Sequence, residues 1–194
     1  MNKKAVWFLL LAVFAFSGCA TFQKARKADT LQRELSELEK AKLELENALK
    51  KEIESYKAKL EMTERGLVVT FLSEVFFDSG KDVIREEGKE ATRKVAEVLN
   101  RDVPNSLVAV EGHTDDEPIK YSGWKSNWEL SSARALAVLH FLIDECQVAP
   151  QRLSGNAYGE YHQIIANDSA ENKQKNRRVE IVILPANVSK EKAQ

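Results

Sequence analysis

Between residues 23 and 65 the chain contains neither glycine nor proline, and Gly66 ends that regime. The two residues that most readily stop a helix are absent from one long stretch and return after it. Within it, Leu31, Leu35, Leu38, Leu45, Leu49 and Tyr56 recur in steps of three, four or seven, with Lys42 interrupting the seam. Glu and Lys fill most other positions, some at helical ion-pair spacing such as Glu46 with Lys50. The pattern predicts a helical arm over residues 29–65. Roughly 36 residues at 1.5 Å rise would reach about 54 Å. The seam is narrow, so a solitary solvated helix and a coiled coil joining two copies both stay open. The second would make the arm a route to a homo-oligomer; either would make it a spacer.

Beyond Gly66 the pattern changes. "LVVTFL" reads as a strand, and "EVFFDSG" as an extended stretch closing in a turn at Asp78, Ser79 and Gly80. "REEGKEATRKVAEVLN" reads as a helix with Ala91, Val95, Val98 and Leu99 on one side. "SLVAVEG" is a strand, a polar loop runs over 113–126, and "ELSSARALAVLHFLIDEC" is an amphipathic helix. "RLSGNAYG" is extended, "SAENKQK" a short helix and "RRVEIVIL" a last strand. Strands alternating with helices predict an α+β domain: a two-layer mixed sheet of βαβαβ type, with helices packed on it, behind a long α-helical arm. The core is expected from Val69, Phe71, Val95, Leu99, Val108, Val110, Leu136, Leu139, Ile143, Ile181 and Ile183.

Lys and Arg number 29 against 30 Asp and Glu, with no long basic tract, which argues against nucleic acid as a partner. At the N-terminus, Lys3 and Lys4 precede the apolar run "AVWFLLLAVFAF", which is short for a membrane span needing roughly 20 residues. The run ends in "SGC", which resembles the lipobox of bacterial lipoproteins, with Phe16 where that family usually has Leu. The resemblance implies a signal peptide over 1–18 and lipidation at Cys19. A lipidated linker would then run over 19–28. Ala20 after the cysteine implies an outer-membrane destination facing the periplasm. An uncleaved anchor helix is the alternative. Cys146 is the other cysteine, so no disulfide is expected.

Four pieces then occur in order after "FFDSGK": "VEGHTDDEPI", "SNWELSSARA", "RLSGNAYGE" and "NRRVEIVI". Together they resemble the OmpA-like C-terminal domain. That module binds peptidoglycan in outer-membrane proteins, Pal-type lipoproteins and flagellar stators of the MotB kind. The likeness covers residues 67–184, within a domain read as 66–185 before a polar tail over 186–194. The loop with "SNWELS" looks most like the stator version. The residues themselves suggest the chemistry. Asp115 follows a strand, while Asn127 and Leu130 open a helix whose unpaired N–H groups attract an anion. Arg134 lies one turn in, where its planar fork suits a carboxylate. An acid on one side and a guanidinium on the other fit an amino-acid zwitterion, such as the free end of diaminopimelate in a stem peptide. The resemblance implies diaminopimelate contacts from Asp115 and Arg134. It places Asp78, Thr114, Asn127, Leu130 (through its backbone) and Arg178 around them, with Asn176 and Arg177 in the same motif. Duller roles remain beside these: an Asp115–Arg134 bridge, a helix cap at Asn127, a turn at Asp78, and a solvated strand position at Arg178.

A zinc hydrolase would need three protein ligands beside an open position. His113 and Asp115 lack a third at ligand spacing, and no nucleophile motif or Gly-rich phosphate loop is present, so neither catalysis, metal nor cofactor is expected. The sequence reads as a lipid-anchored envelope protein tying the outer membrane to peptidoglycan. A MotB-like wall anchor of a flagellar stator is the alternative; it would require a spanning helix with an ionisable residue inside it.

Overall fold

A computed structural model describes the backbone of residues 3–120 and 122–186 and the side chains of 25–120 and 122–186. The signal-peptide and Cys19 expectations therefore concern side chains outside the described residues, as do most of the residues of the polar tail. The chain divides into two units, 1–36 and 37–194. Helix α1 spans Lys3–Ala48, and α2 spans Lys50–Glu54. Hydrogen bonds from Leu49 N to Leu45 O and from Ile53 N to Leu49 O carry the helical spacing across Leu49.

The helix does not reach residue 65. It ends in a Schellman turn: Lys57 N bonds Glu52 O and Tyr56 N bonds Ile53 O. The left-handed residue such a turn needs is Tyr56, at φ 57°, rather than glycine. Strand β1 (Ala58–Thr63) follows and forms a hairpin with β2 (Gly66–Leu72). Gly66 adopts φ 125°, and a Cβ there would collide with the Ile183 carbonyl at 2.2 Å. The seam leucines Leu38, Leu45 and Leu49 are fully buried in the core of the second unit. The seam from Leu38 to Leu49, for which a solitary helix and a coiled coil both stood open, is thus spent within the chain, whereas Tyr56 is exposed. Glu44 and Glu52 pair with Arg101 and Lys94 on α4 (Glu86–Arg101) at 3.3 and 2.9 Å.

The "EVFF" stretch forms a short helical turn, α3 (Ser73–Phe76), instead of an extended segment. The other strands are β3 (Val108–His113), β4 (Leu153–Gly159) and β5 (Arg178–Ile183). The sheet order is β1-β2-β5-β3-β4, antiparallel except for the β3–β4 pair. Helix α5 (Asn127–Asp144) makes the crossover that a parallel pair requires, and the short α6 (Ala170–Asn176) leads into β5. The fold is α+β with a mixed sheet, as the strand–helix alternation requires.

β5 pairs with β2 and β3, and its alternation divides the sheet. Val179, Ile181 and Ile183 share a face with Val69, Phe71, Val108 and Val110 in the apolar core. Arg178 and Glu180 lie on the other face, opposite His113 and Glu111. Gly112 sets how closely α5 approaches β3, because a Cβ would lie 2.1 Å from the Ser131 carbonyl oxygen. Helix α5 is rotated from its expected phase. Ala135, Val138 and Leu142 are buried, whereas Leu136 is exposed and Leu139 and Ile143 are only half-buried. Leu136 and Leu139 instead reach toward Gly155 at the β4 edge.

Candidate functional site

A cleft of about 700 Å³ opens where the end of β3, the first turns of α5, α3 with its following turn, and the start of β5 converge. Thr114, Asp115, Asn127, Leu130, Arg134 and Arg177 line it; Asp78, Asn176 and Arg178 do not.

Helix α5 is capped by Ser126, whose Oγ accepts from Glu129 N at 3.3 Å. Glu129 Oε2 in turn accepts from Lys125 N at 2.9 Å. The cap that Asn127 might have supplied is thus made one residue earlier. Asn127 acts as a clasp: its Nδ2 donates to Asp115 O at 3.4 Å, Glu117 O at 3.1 Å and Glu160 Oε2 at 2.5 Å. Leu130 presents its side chain to the cleft, while its backbone N–H is spent inside the helix on Ser126 O at 3.2 Å. That corrects the backbone contact expected of it.

Arg134 is 5 % exposed. Its Nε donates to Lys81 O at 2.9 Å and its Nη2 to Asp78 O at 3.2 Å, and the guanidinium lies 5.1 Å over the Phe77 ring. Burial, then the nearby Arg177, lowers its pKa to about 10, so it stays charged at neutral pH. Asp78 therefore contributes its carbonyl; its carboxylate is exposed and lies 3.7 Å from Arg85.

Asp115, also 5 % exposed, does not bridge to Arg134. Its Oδ2 pairs with Nη1 of Arg177, whose side chain is partly exposed, and its Oδ1 accepts from Glu117 N at 3.3 Å. Arg134 forms no ion pair among the described residues. The neighbouring acids Asp116 and Glu117 are tied to Lys173. Two hydroxyls of the cleft, Ser73 Oγ and Thr114 Oγ1, are buried and make no hydrogen bond to any described residue. An unmet buried hydroxyl costs about 1–3 kcal/mol, which a polar ligand atom can recover.

Arg178 points to the opposite sheet face. It is bound to Glu180 Oε1 at 2.6 Å, Asn176 O at 3.2 Å and His162 O at 3.0 Å. Asn176 is fully buried as a latch, with Oδ1 accepting from Ile164 N at 2.9 Å and Nδ2 donating to Ile165 O at 2.7 Å. The structure thus brings Arg177 to the cleft and withdraws Arg178 and Asn176. The signal was in "NRRVEIVI": Arg177 shares its parity with Val179, Ile181 and Ile183, the core-side residues on which the helices pack. Ser73, Phe77 and the Lys81 carbonyl carry no comparable mark in the sequence.

Glu111, His113 and Glu180 place ligand-type atoms within 4.8 Å of one another. Both carboxylates already hold guanidiniums, Glu111 with Arg65 at 2.6 Å and Glu180 with Arg178. A cation there would have to displace one of these, so the donor set is a balanced ion network.

The OmpA family model matches residues 76–177, just over half of the chain's 194 residues. The chain belongs to the OmpA family. Motility protein B of Bacillus subtilis (strain 168) is 38 % identical over 149 residues, covering 77 % of this chain and 57 % of that protein. The periplasmic domain of Helicobacter pylori MotB superposes with TM-score 0.62 at 31 % identity, over 70 % of this chain and 88 % of that one. The cell wall anchor of the T6SS from Pseudomonas aeruginosa gives TM-score 0.66 at 30 % identity, over 73 % and 96 %. The chain spans about half the length of the curated relatives it matches. By their names these relatives are motility and wall-anchor proteins, and this OmpA-family chain, like them, is not an enzyme. The family match begins at Phe76, one residue before Phe77 of the cleft wall, and ends at Arg177, which lines the cleft.

Proposed function

We propose that this chain binds peptidoglycan non-covalently, holding the free zwitterionic end of diaminopimelate in the cleft. One observation carries the reading. Asp115 and Arg134 are nearly buried, oppositely charged, line one cleft and do not pair with each other. A carboxylate and an ammonium on one carbon complement them. The ligand's carboxylate meets the Arg134 fork, pre-set by two backbone carbonyls and the Phe77 ring. Its ammonium meets Asp115 in place of Arg177, whose partly exposed side chain can turn aside. Ser73 and Thr114 offer hydroxyls to the remaining polar atoms. The likeness to a cell wall anchor supports the same reading.

At the other end, "SGC" supports lipidation at Cys19 after removal of residues 1–18, giving a tether from the outer membrane through the periplasm to the wall. Lipid chains on one cysteine would anchor stably. The 38 % identity to Motility protein B favours a second reading, in which the same domain fixes a motor stator to the wall and the apolar segment stays uncleaved.

Retention on purified peptidoglycan, with free diaminopimelate as competitor, tests the binding. Wild type should be retained and eluted by the competitor, and Asp115→Asn and Arg134→Ala should pass through. Equal retention of all three would sink the site. The mass of the mature N-terminus separates the anchors: acylated Cys19 supports the lipoprotein, whereas an uncleaved N-terminus supports the stator.

A further inference from the structure

Beside the cleft, Trp128 and Tyr161 stack with ring centroids 5.5 Å apart and planes 24° from parallel. Stacked aromatic pairs are ordinary in a core, but here 47 % of Trp128 and 66 % of Tyr161 stays open to solvent. Large aromatic faces held toward water are unfavourable unless something covers them.

The position of the pair is defined on both sides. Trp128 directly follows Asn127, which lines the cleft, and Tyr161 directly follows Glu160, which accepts the 2.5 Å bond from Asn127. Gly159 supports the indole from beneath: it adopts φ 56°, and a Cβ there would lie 3.5 Å from Trp128 Cδ2. The platform therefore begins one residue step, about 3.8 Å along the backbone, from a wall of the cleft. Beside it is a polar pair, the Glu160 carboxylate and the Asn127 amide that donates to it.

We infer that Trp128 and Tyr161 form a second subsite, which stacks against a pyranose ring of the sugar strand from which the cleft-bound peptide hangs. A pyranose presents an apolar C–H face ringed by hydroxyls. Flat aromatic rings take such a face, and polar groups at the edge take the hydroxyls. A purely apolar partner would be matched less well by an edge of carboxylate and amide. The inference rests on the cleft holding the stem peptide, because that connection supplies the sugar at this distance.

The test uses the full-length chain in detergent and three probes: the diaminopimelate-containing tripeptide, the same tripeptide on its disaccharide, and peptide-free glycan strands. Wild type should bind the sugar-bearing tripeptide roughly 3–10-fold more tightly than the free one, as expected of one added aromatic contact. Trp128→Ala and Tyr161→Ala should each erase that advantage and leave the Kd for free tripeptide unchanged. Trp128→Phe should keep most of it. Peptide-free strands should bind wild type weakly and Trp128→Ala not at all, a readout independent of the cleft. Equal losses on tripeptide with and without sugar would overturn the inference. So would unchanged glycan binding in both alanine variants, including the case in which Trp128→Ala instead dissociates a dimer. Failure of the free tripeptide to bind wild type would strike the cleft reading and with it this link to the sugar, whereas loss of the sugar advantage alone strikes only the platform.

Discussion

Arg134 shows what a buried charge needs in order to be useful. Its guanidinium is held by two backbone carbonyls and an aromatic face, yet has no acid of its own among the described residues. Removing it leaves a ligand carboxylate unmatched in a partly dry cleft. Arg134→Ala should therefore weaken muropeptide binding by about 2–4 kcal/mol, and Arg134→Lys should restore only part of it, because a point charge replaces a fork. Calorimetric titration of both variants, with folding checked by circular dichroism, measures this; unchanged affinity in both counts against the site. Ser73 tests the same idea from the opposite side. Its buried, unmatched hydroxyl is a cost in the empty protein. Ser73→Ala should raise stability by up to about 1 kcal/mol while lowering ligand affinity. A denaturation midpoint and an affinity that fall together would instead mark Ser73 as structural. Asp115, Asn127 and Arg134 were legible because charge and position after a strand or at a helix start are visible in a sequence, whereas Thr114 was reached through the family resemblance alone. Arg177, not Arg178, reaches the cleft because strand parity, which the NRR motif does not display, turns alternate residues of β5 to opposite faces. Ser73 was invisible because nothing in the chain announces a hydroxyl that will lack a partner.

Apart from the short α3, which reads as extended, the strands and helices after Gly66 were legible because each carries its own period, and the five-stranded sheet needed only one piece that was not. That piece is β1, hidden in a stretch without glycine or proline. The helix before it stops on a left-handed tyrosine, a conformation that costs a non-glycine residue about 1–2 kcal/mol and gives no sequence signal. Tyr56 is 89 % exposed, so its side chain contributes little packing to offset that strain. Tyr56→Gly should then stabilise the chain by about 0.5–1 kcal/mol, strain relief being partly cancelled by the greater freedom of glycine when unfolded. Thermal unfolding of the two chains compares them directly, and a lower midpoint for the glycine variant would mean that the tyrosine ring makes a contact worth more than its strain. The phase of α5 was misjudged for a related reason. Its apolar residues nearly encircle it, and the true inward face is set by Gly112, which lets the helix backbone close on β3 and sends Leu136 out to the sheet edge.

At the scale of the whole molecule, the sheet separates two kinds of interior. One face is apolar and packed by helices. The other gathers Arg65, Glu111, Arg178 and Glu180 around His113, whose ring stacks on Tyr158 at 5.0 Å, with His162 stacked on the far side of Tyr158 at 4.2 Å. Burial first, then the charges of Arg178, His162 and Arg65, push the His113 pKa from 6.5 down to about 3. Two carboxylates balance two guanidiniums there, so a protonated imidazole would add an unmatched cation. The consequence is a loss of stability in acid. Above about pH 6.5 the ring is neutral whether the chain is folded or not, and it contributes no pH dependence. As pH falls from 6.5 toward 3, the unfolded chain takes up a proton that the folded chain refuses, and stability declines by an amount on the order of a few kcal/mol over that window. His113→Phe keeps a flat ring against Tyr158 without a site to protonate. Urea midpoints at pH 7, 5.5 and 4 should therefore fall steeply for wild type and less steeply for the variant. Parallel declines would place the acid sensitivity in the carboxylates instead, since Glu111 and Glu180 lose their hold on Arg65 and Arg178 once protonated. Neither result need disturb the cleft, because Arg177 and Arg178 face opposite sides of the sheet.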